Sequence, residues 1–165
     1  MASLKDIAIR DMQSVDLRQI LQIERNAQVM PWSRLSFEES LSGKYRCRVV
    51  SLRQPIEGKI KLAAFHVVCP IVDELHILNL AVAPDMQGQG LGHVLMDDIL
   101  AIADDQKMRK IFLEVRASNS AAHSLYQKWQ FKKISIRKKY YRTQGQERED
   151  ALVMVRTEQE KLNAI

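Results

Sequence analysis

Residues 79–92 read NLAVAPDMQGQGLG: an apolar β-type run from Asn79 to Val82, a Pro84-Asp85 turn, and a loop with glycine at 88, 90 and 92 that opens a helix. Glycine lets backbone approach a ligand closely, and the first turn of the helix beyond carries unpaired N–H groups and the positive end of the helix dipole. A strand running through such a loop into a helix is an anion site on an α/β scaffold.

Two familiar anion sites do not fit. The phosphate loop of nucleotide hydrolases places Lys and then Ser or Thr after its last glycine, whereas His93 and Val94 follow Gly92 here. A dinucleotide fingerprint spaces its glycines GxGxxG, whereas Gly88, Gly90 and Gly92 alternate and residues 87–92 read QxxGxG. The glycines by themselves leave open a helix start that packs tightly and holds nothing.

Outward from the loop, Leu91, Val94, Leu95, Ile99 and Ile102 recur at helical spacing, so the helix buries one face. A strand over Glu74 to Val82 precedes it, and Lys110 to Val115 is a short apolar strand after it. Asn119 to Trp129 reads as a helix with Ala121, Ala122, Leu125 and Trp129 inward. Two strands close the chain, around Phe131 to Tyr141 and Ala151 to Val155, separated by the polar segment TQGQERED. Towards the N-terminus, Ala8 and Ile9 lie in a first strand, and Val15, Leu17, Ile20, Leu21 and Ile23 fill a helix that Ser14 is placed to cap. Pro31-Trp32-Ser33 breaks the chain before a short helix capped by Ser33 or Ser36. Tyr45 to Leu52 and Leu62 to Val68 form a hairpin across a turn with Pro55 and Gly58. The order β-α-α-β-β-β-α-β-α-β-β, without repeat or linker, predicts a single mixed α/β domain over residues 1–165 with helices covering a central sheet, frayed from about Thr157.

Composition narrows the class. A 27% charged fraction and 46% hydrophobic content are those of a soluble globular domain. The N-terminus lacks a secretory core and no run approaches the roughly 18 apolar residues of a membrane span, so a cytoplasmic protein without a membrane role is expected. Cys47 and Cys69 lie far apart without ligand spacing and are expected as buried thiols, with no metal. His66, His76 and His123 have no spacing that demands a metal or a triad. The net charge of +5 permits an anionic partner, polynucleotide or phosphate-bearing cofactor. Much of it sits in KKISIRKKYY, where Ile134 and Ile136 alternate with Lys133, Ser135 and Arg137 as on a solvated strand.

The chain resembles the GCN5-related N-acetyltransferase (GNAT) family in PWS at Pro31 to Ser33, the QxxGxG loop after NLAV, LEVRASNSAAHSLY at Leu113 to Tyr126, RKKYY at Arg137 to Tyr141 and EREDALVM at Glu147 to Met154. The resemblance spans most of the chain, and LEVRASN with the later LY is its most specific part. It implies an acetyl-CoA site between two splayed strands, here Glu74 to Val82 and Lys110 to Val115. Leu80, Ala81 and Val82 would pair with the pantetheine arm and polarise the thioester. Gly88, Gln89, Gly90, Leu91, Gly92 and His93 would cradle the pyrophosphate, with Asn119 as a helix cap or a cofactor contact.

By the same resemblance Glu114 is the general base, acting through water, and Tyr126 the general acid for the departing sulfur. The implied reaction is acetylation of a protein α-amine, the N-terminal alanine of the eighteenth protein of the small ribosomal subunit. Such an amine, with a pKa of about 7.7–8.0, needs only a modest base. That substrate is basic after its first residues, so Glu38, Glu39, Asp73, Glu147, Glu149 and Asp150 are candidates to line its path, and Trp32, Tyr140 and Tyr141 to wall it. A monomer is expected, and direct nucleic-acid binding is not. Alternatives are another protein N-terminus, a lysine or a small amine as acceptor, or a non-catalytic module binding acetyl-CoA or ribosomal RNA. Gln130 before Phe131, where many relatives carry Gly, and His93, where Arg is common, depart from the family pattern.

Overall fold

The computed structural model describes residues 6–53 and 57–158. Among them run β1 (Ile7–Asp11), α1 (Leu17–Ala27), α2 (Arg34–Ser42), β2 (Arg46–Leu52), β3 (Leu62–Ile71), β4 (Glu74–Val82), α3 (Leu91–Asp105), β5 (Lys110–Arg116), α4 (Ser120–Lys128), β6 (Lys132–Arg142) and β7 (Arg148–Thr157). This is the expected order of elements. Pro55 and residues 159–165 lie outside the described residues.

The strands form one sheet in the order β1-β2-β3-β4-β5-β7-β6. Neighbours pair antiparallel except β4 and β5, which run parallel across the α3 crossover. The two faces have separate cores. On one, Leu17 and Ile20 of α1 and Phe37 of α2 pack on Phe65 and Val49, all fully buried. On the other, Met96 and Ile99 of α3 pack with Ile77, Ile111, Leu113 and Met154. Phe37 meets Phe65 edge-on at 5.5 Å, a geometry that adds to the roughly 1.5–3 kcal/mol gained by burying each ring. No described helix is long and apolar enough to cross a membrane.

The local signals mostly hold. Ser33 caps α2, its hydroxyl accepting the Ser36 N–H at 3.2 Å. Ser14 does not cap α1. Ser14 to Asp16 form a 3-10 turn, Val15 points to solvent, and Asp16 accepts the Gln13 N–H at 2.8 Å while pairing with Arg10 at 2.7 Å. A carboxylate tied to a strand arginine displaces the hydroxyl as the turn's anchor. The inner face expected for α4 holds in part: Ala122, Leu125 and Trp129 pack against the α3-side core, but Tyr126 is the helix's buried residue and Ala121 is exposed at the rim of an open cleft.

Gln130 carries the turn a glycine would make. Its φ is +66°, and Phe131 N–H and Gln130 N–H donate to Tyr126 O and Gln127 O at 3.0 Å each. That pair of bonds is a Schellman C-terminus with glutamine in the left-handed position. Cys47 and Cys69 are free, buried thiols, as expected, and burial pushes Cys47 up to about 11.

Candidate active site

The site begins where β4 and β5 part. Their pairing runs from Glu74 opposite Lys110 to Ile77 opposite Leu113 and then stops, although β4 continues to Val82 and β5 to Arg116. The cause is on the other edge of β4, where Val67 and Val68 of β3 oppose Asn79 and Ile77, leaving Leu78 as a bulged residue. A bulge bends the strand and inverts its alternation. From Leu78 onward the β4 edge that faced β5 has no strand partner, and a cleft of about 990 Å³ opens between them. That volume is at the upper end of the roughly 300–1,000 Å³ typical of ligand sites.

Glu114 and Tyr126 approach this opening from opposite faces of the sheet. Leu113 and Val115 pack against the α3 face, so Glu114 between them projects to the face that carries α1 and α2. Tyr126 stands on α4 within the α3-side core, 7% exposed. Both line the cleft. Glu114 Oε1 meets Arg137 Nε at 3.0 Å, and the Tyr140 hydroxyl bonds the same carboxylate. Burial, and after it the neighbouring Tyr141, pushes the Tyr126 phenol up to about 12. No group among the described residues hydrogen-bonds its hydroxyl, which leaves the proton to a ligand.

Tyr140 and Tyr141 reach the cleft through an irregularity in β6. Arg137 opposes Ala151 and Tyr141 opposes Glu149, so β6 carries two extra residues between them. Lys139 there has φ +48°, and its N–H donates to Asp150 Oδ1 at 2.9 Å. The smooth alternation read from KKISIRKKYY is therefore corrected. It breaks again at Ile134, and both faces of β6 are exposed. Arg116 covers the Tyr141 ring at 4.5 Å and pairs with Glu149 at 2.8 Å, which holds that aromatic wall upright.

At the other end lies the glycine loop. Gly88 and Gly90 have φ of +73° and +85°, and Gly90 is the N-cap of α3. A Cβ on Gly92 would stand 3.2 Å from the Leu125 side chain, so α3 and α4 meet closely there and a larger residue would have to push Leu125 aside. His93 N–H and Val94 N–H donate to Gly90 O at 3.1 and 3.2 Å, which leaves the amides before them ahead of the helix's own ladder. Gly88, Gly90, Leu91, Gly92 and His93 line the cleft, as do Leu80, Ala81, Val82 and Asn119. Gln89 is not among the lining residues; its Nε2 turns back to Asp85 O at 3.5 Å and its Oε1 is buried without a partner. Asn119 caps α4, its Oδ1 accepting Ala122 N–H at 3.1 Å. His93 Nδ1 accepts from Trp129 Nε1 at 2.8 Å. The loop and strand edge fit an extended donor with a diphosphate: close-approach glycines, forward amides, and a strand edge open to pairing.

The acidic path corrects the sequence reading. Glu38, Glu39, Asp73, Glu147, Glu149 and Asp150 do not line the cleft; Glu38, Glu149 and Asp150 are spent on Arg34, Arg116 and Lys138. The acidic residues that do line it, among those described, are Glu114 and Glu24, the second of which sequence reasoning missed. Its signal was its place at i+7 on the apolar stripe Leu17, Ile20, Leu21, where a solvated glutamate is not expected. Trp32 lines the cleft as expected. His66 lies elsewhere, buried against Asp98 at 2.7 Å, and no group of metal-ligating side chains occurs among the described residues.

Comparison with known proteins agrees with this geometry. Residues 17–131 match the acetyltransferase (GNAT) family model. The chain is 35% identical over 146 residues, 88% of its length and 94% of the relative's, to the Escherichia coli ribosomal protein bS18-alanine N-acetyltransferase. A putative bS18-alanine N-acetyltransferase of Bacillus subtilis is 34% identical, covering 89% and 93% of the two chains. The crystal structure of the Escherichia coli ribosomal-protein-S18-alanine N-acetyltransferase superposes with a TM-score of 0.84 at 31% identity, over 96% and 98% of the chains. The Arabidopsis thaliana NAA60 structure in complex with a bisubstrate analogue shares the fold, with a TM-score of 0.84 at 19% identity over 92% and 97% of the chains. With the splayed strands, the glycine-capped helix and these relatives together, the chain belongs to the GNAT family of acetyltransferases.

Proposed function

We propose that this protein acetylates the N-terminal alanine of the small-subunit ribosomal protein bS18, with acetyl-CoA as donor. The observation that carries the reading is the placement of Glu114 and Tyr126 on opposite faces of one splayed strand pair, so that an acceptor and a departing group can be served from opposite sides. Similarity to the bS18-alanine acetyltransferases, over nearly their whole length, supports the acceptor. The free, buried cysteines suit the cytoplasm, where we place it as a monomer without membrane or nucleic-acid partners.

Acetyl-CoA supplies an activated acyl group. The amides of Gly88 to Gly92, with Leu91 and the edge of α3, receive its diphosphate, and His93 and Asn119 border that end. Leu80, Ala81 and Val82 offer their open edge to the pantetheine arm, and an N–H there stabilises the developing oxyanion, a contact worth on the order of 3 kcal/mol. Glu114 takes the amine's proton through water as nitrogen attacks the acyl carbon. The new N–C bond forms as the C–S bond breaks. Tyr126 stands at the departing sulfur. With its phenol at about 12 and a free thiol near 8.5, outright transfer is uphill by roughly 5 kcal/mol, so its O–H stabilises the thiolate chiefly as a hydrogen-bond donor.

A panel of acceptors tests the reading. A peptide with the bS18 N-terminus should be acetylated far faster than the same peptide with a blocked α-amine, free lysine or spermidine. Glu114→Gln should slow that reaction about a hundredfold or more while acetyl-CoA still binds. Equal rates with spermidine would place the chain with the small-amine acetyltransferases instead.

A further inference from the structure

We propose that Glu24 receives the α-ammonium of the acceptor and orients it for attack. The inference rests on the acyl-transfer reading above and assigns the group that reads the acceptor's charged end.

Glu24 is 1% exposed in α1 and lines the cleft. One oxygen has a structural task. Oε1 accepts the Trp32 N–H at 2.9 Å and Asn79 Nδ2 at 3.0 Å, which ties α1 to the loop before α2 and to β4 just past the bulge. The other oxygen, Oε2, is buried and has no partner among the described residues. An ionised oxygen left bare in the interior is costly, and such a group is stabilised only when a donor arrives. Burial pushes the Glu24 carboxyl up, against the Trp32 amide and Asn79.

Geometry says what that donor is. The Leu78 bulge turns Asn79 to the face that carries α1, where it meets Glu24, and this is the face to which Glu114 also projects. Gln28 Nε2 donates to Asn79 Oδ1 at 3.1 Å, so the Asn79 amide is locked with its N–H toward Glu24. Glu114 is already engaged by Arg137 and Tyr140. An arriving ammonium, with three donors and a positive charge, therefore finds its free carboxylate oxygen at Glu24. The ammonium first passes one proton through water to Glu114, which releases it to solvent before taking the second as the amide forms, and an N–H still donated to Oε2 fixes where the lone pair points. Glu24 is a binding and positioning group, distinct from the base.

The test separates ammonium binding from the structural task of Oε1. Glu24→Gln keeps an oxygen for Trp32 and Asn79 and replaces Oε2 by an N–H donor. The KM for an Ala-starting bS18 peptide should rise tenfold or more, while the inhibition constant of the N-acetylated product peptide and the Kd for acetyl-CoA stay within twofold. An unchanged KM, or a product inhibition constant that rises in parallel, overturns the proposal. Should Glu24→Gln fail to fold, calorimetry on the wild type and Glu114→Gln decides. Both should bind the peptide at least tenfold more tightly than its des-amino analogue, and equal affinity or loss of the preference in Glu114→Gln overturns it. A wild type that binds the peptide with this preference but never acetylates it refutes the acyl-transfer reading while leaving the ammonium site standing.

Discussion

Replacing Tyr126 by Phe removes one oxygen from a ring that is otherwise fixed by packing against Phe131 at 5.7 Å. The phenol's hydroxyl holds no other group, so the fold loses little, under about 1 kcal/mol. Its effect on turnover follows from what the hydroxyl can do. Held at about 12, it stays protonated through the working range and donates to a thiolate, and a hydrogen bond to a charged group contributes about 1.5–3 kcal/mol. The expected fall in kcat is therefore on the order of 10- to 150-fold, with KM for both substrates close to wild type. Stopped-assay rates with the bS18 peptide, paired with a thermal melt, measure both. A kcat within twofold of wild type would remove Tyr126 from the chemistry. A fall beyond about ten-thousandfold would mean that full proton transfer is obligatory and that the phenol's pKa in the complex is far lower than in the free protein.

Other consequences are independent of the chemistry. Gln130→Gly relieves a left-handed glutamine with φ +66° and should stabilise the protein by about 0.5–1 kcal/mol, read as a higher urea midpoint at unchanged slope; no gain would mean that Gln130 is unstrained. Stability should also fall in acid. Burial, outweighing the Asp98 contact, holds His66 below its ordinary 6.5, so it stays neutral in the fold while the unfolded chain takes up a proton. Its contribution is complete above pH 6.5 and is lost as pH falls towards the lowered folded value, at up to about 1.4 kcal/mol per pH unit. Asp98 is buried too, but His66 and Arg48 hold its carboxyl down, so its share persists to lower pH and is lost below about 4. Urea midpoints between pH 7.5 and 5 should decline for wild type and flatten for His66→Gln. Parallel curves would show that His66 does not titrate between the states.

The strand, glycine loop and α3 were legible because each is a local pattern: an apolar run, a turn residue and a 3.6-residue stripe that agree with one another. Glu114 and Tyr126 were legible only through resemblance, since a glutamate in a strand and a tyrosine in a helix carry no local signal. What stayed hidden depends on register. The Leu78 bulge exists because β3 and β4 pair with one residue to spare, and the two extra residues before Tyr141 follow from how β6 meets β7. Neither can be read from one strand alone. Asp16 displaced Ser14 because Arg10, six residues away, supplied a partner that no capping pattern includes. Glu24 was visible in principle, a charge on the stripe of Leu17, Ile20 and Leu21, but the acidic residues singled out instead were those expected to meet a basic substrate.

The central claim is transfer to one α-amine, and mass spectrometry of bS18 tests it most directly. Unacetylated bS18 incubated with this protein and acetyl-CoA should gain a single acetyl group, located by fragmentation on the N-terminal alanine, with Glu114→Gln giving far less in the same time. An unmodified N-terminus, or acetyl groups spread over lysine side chains, would contradict the account.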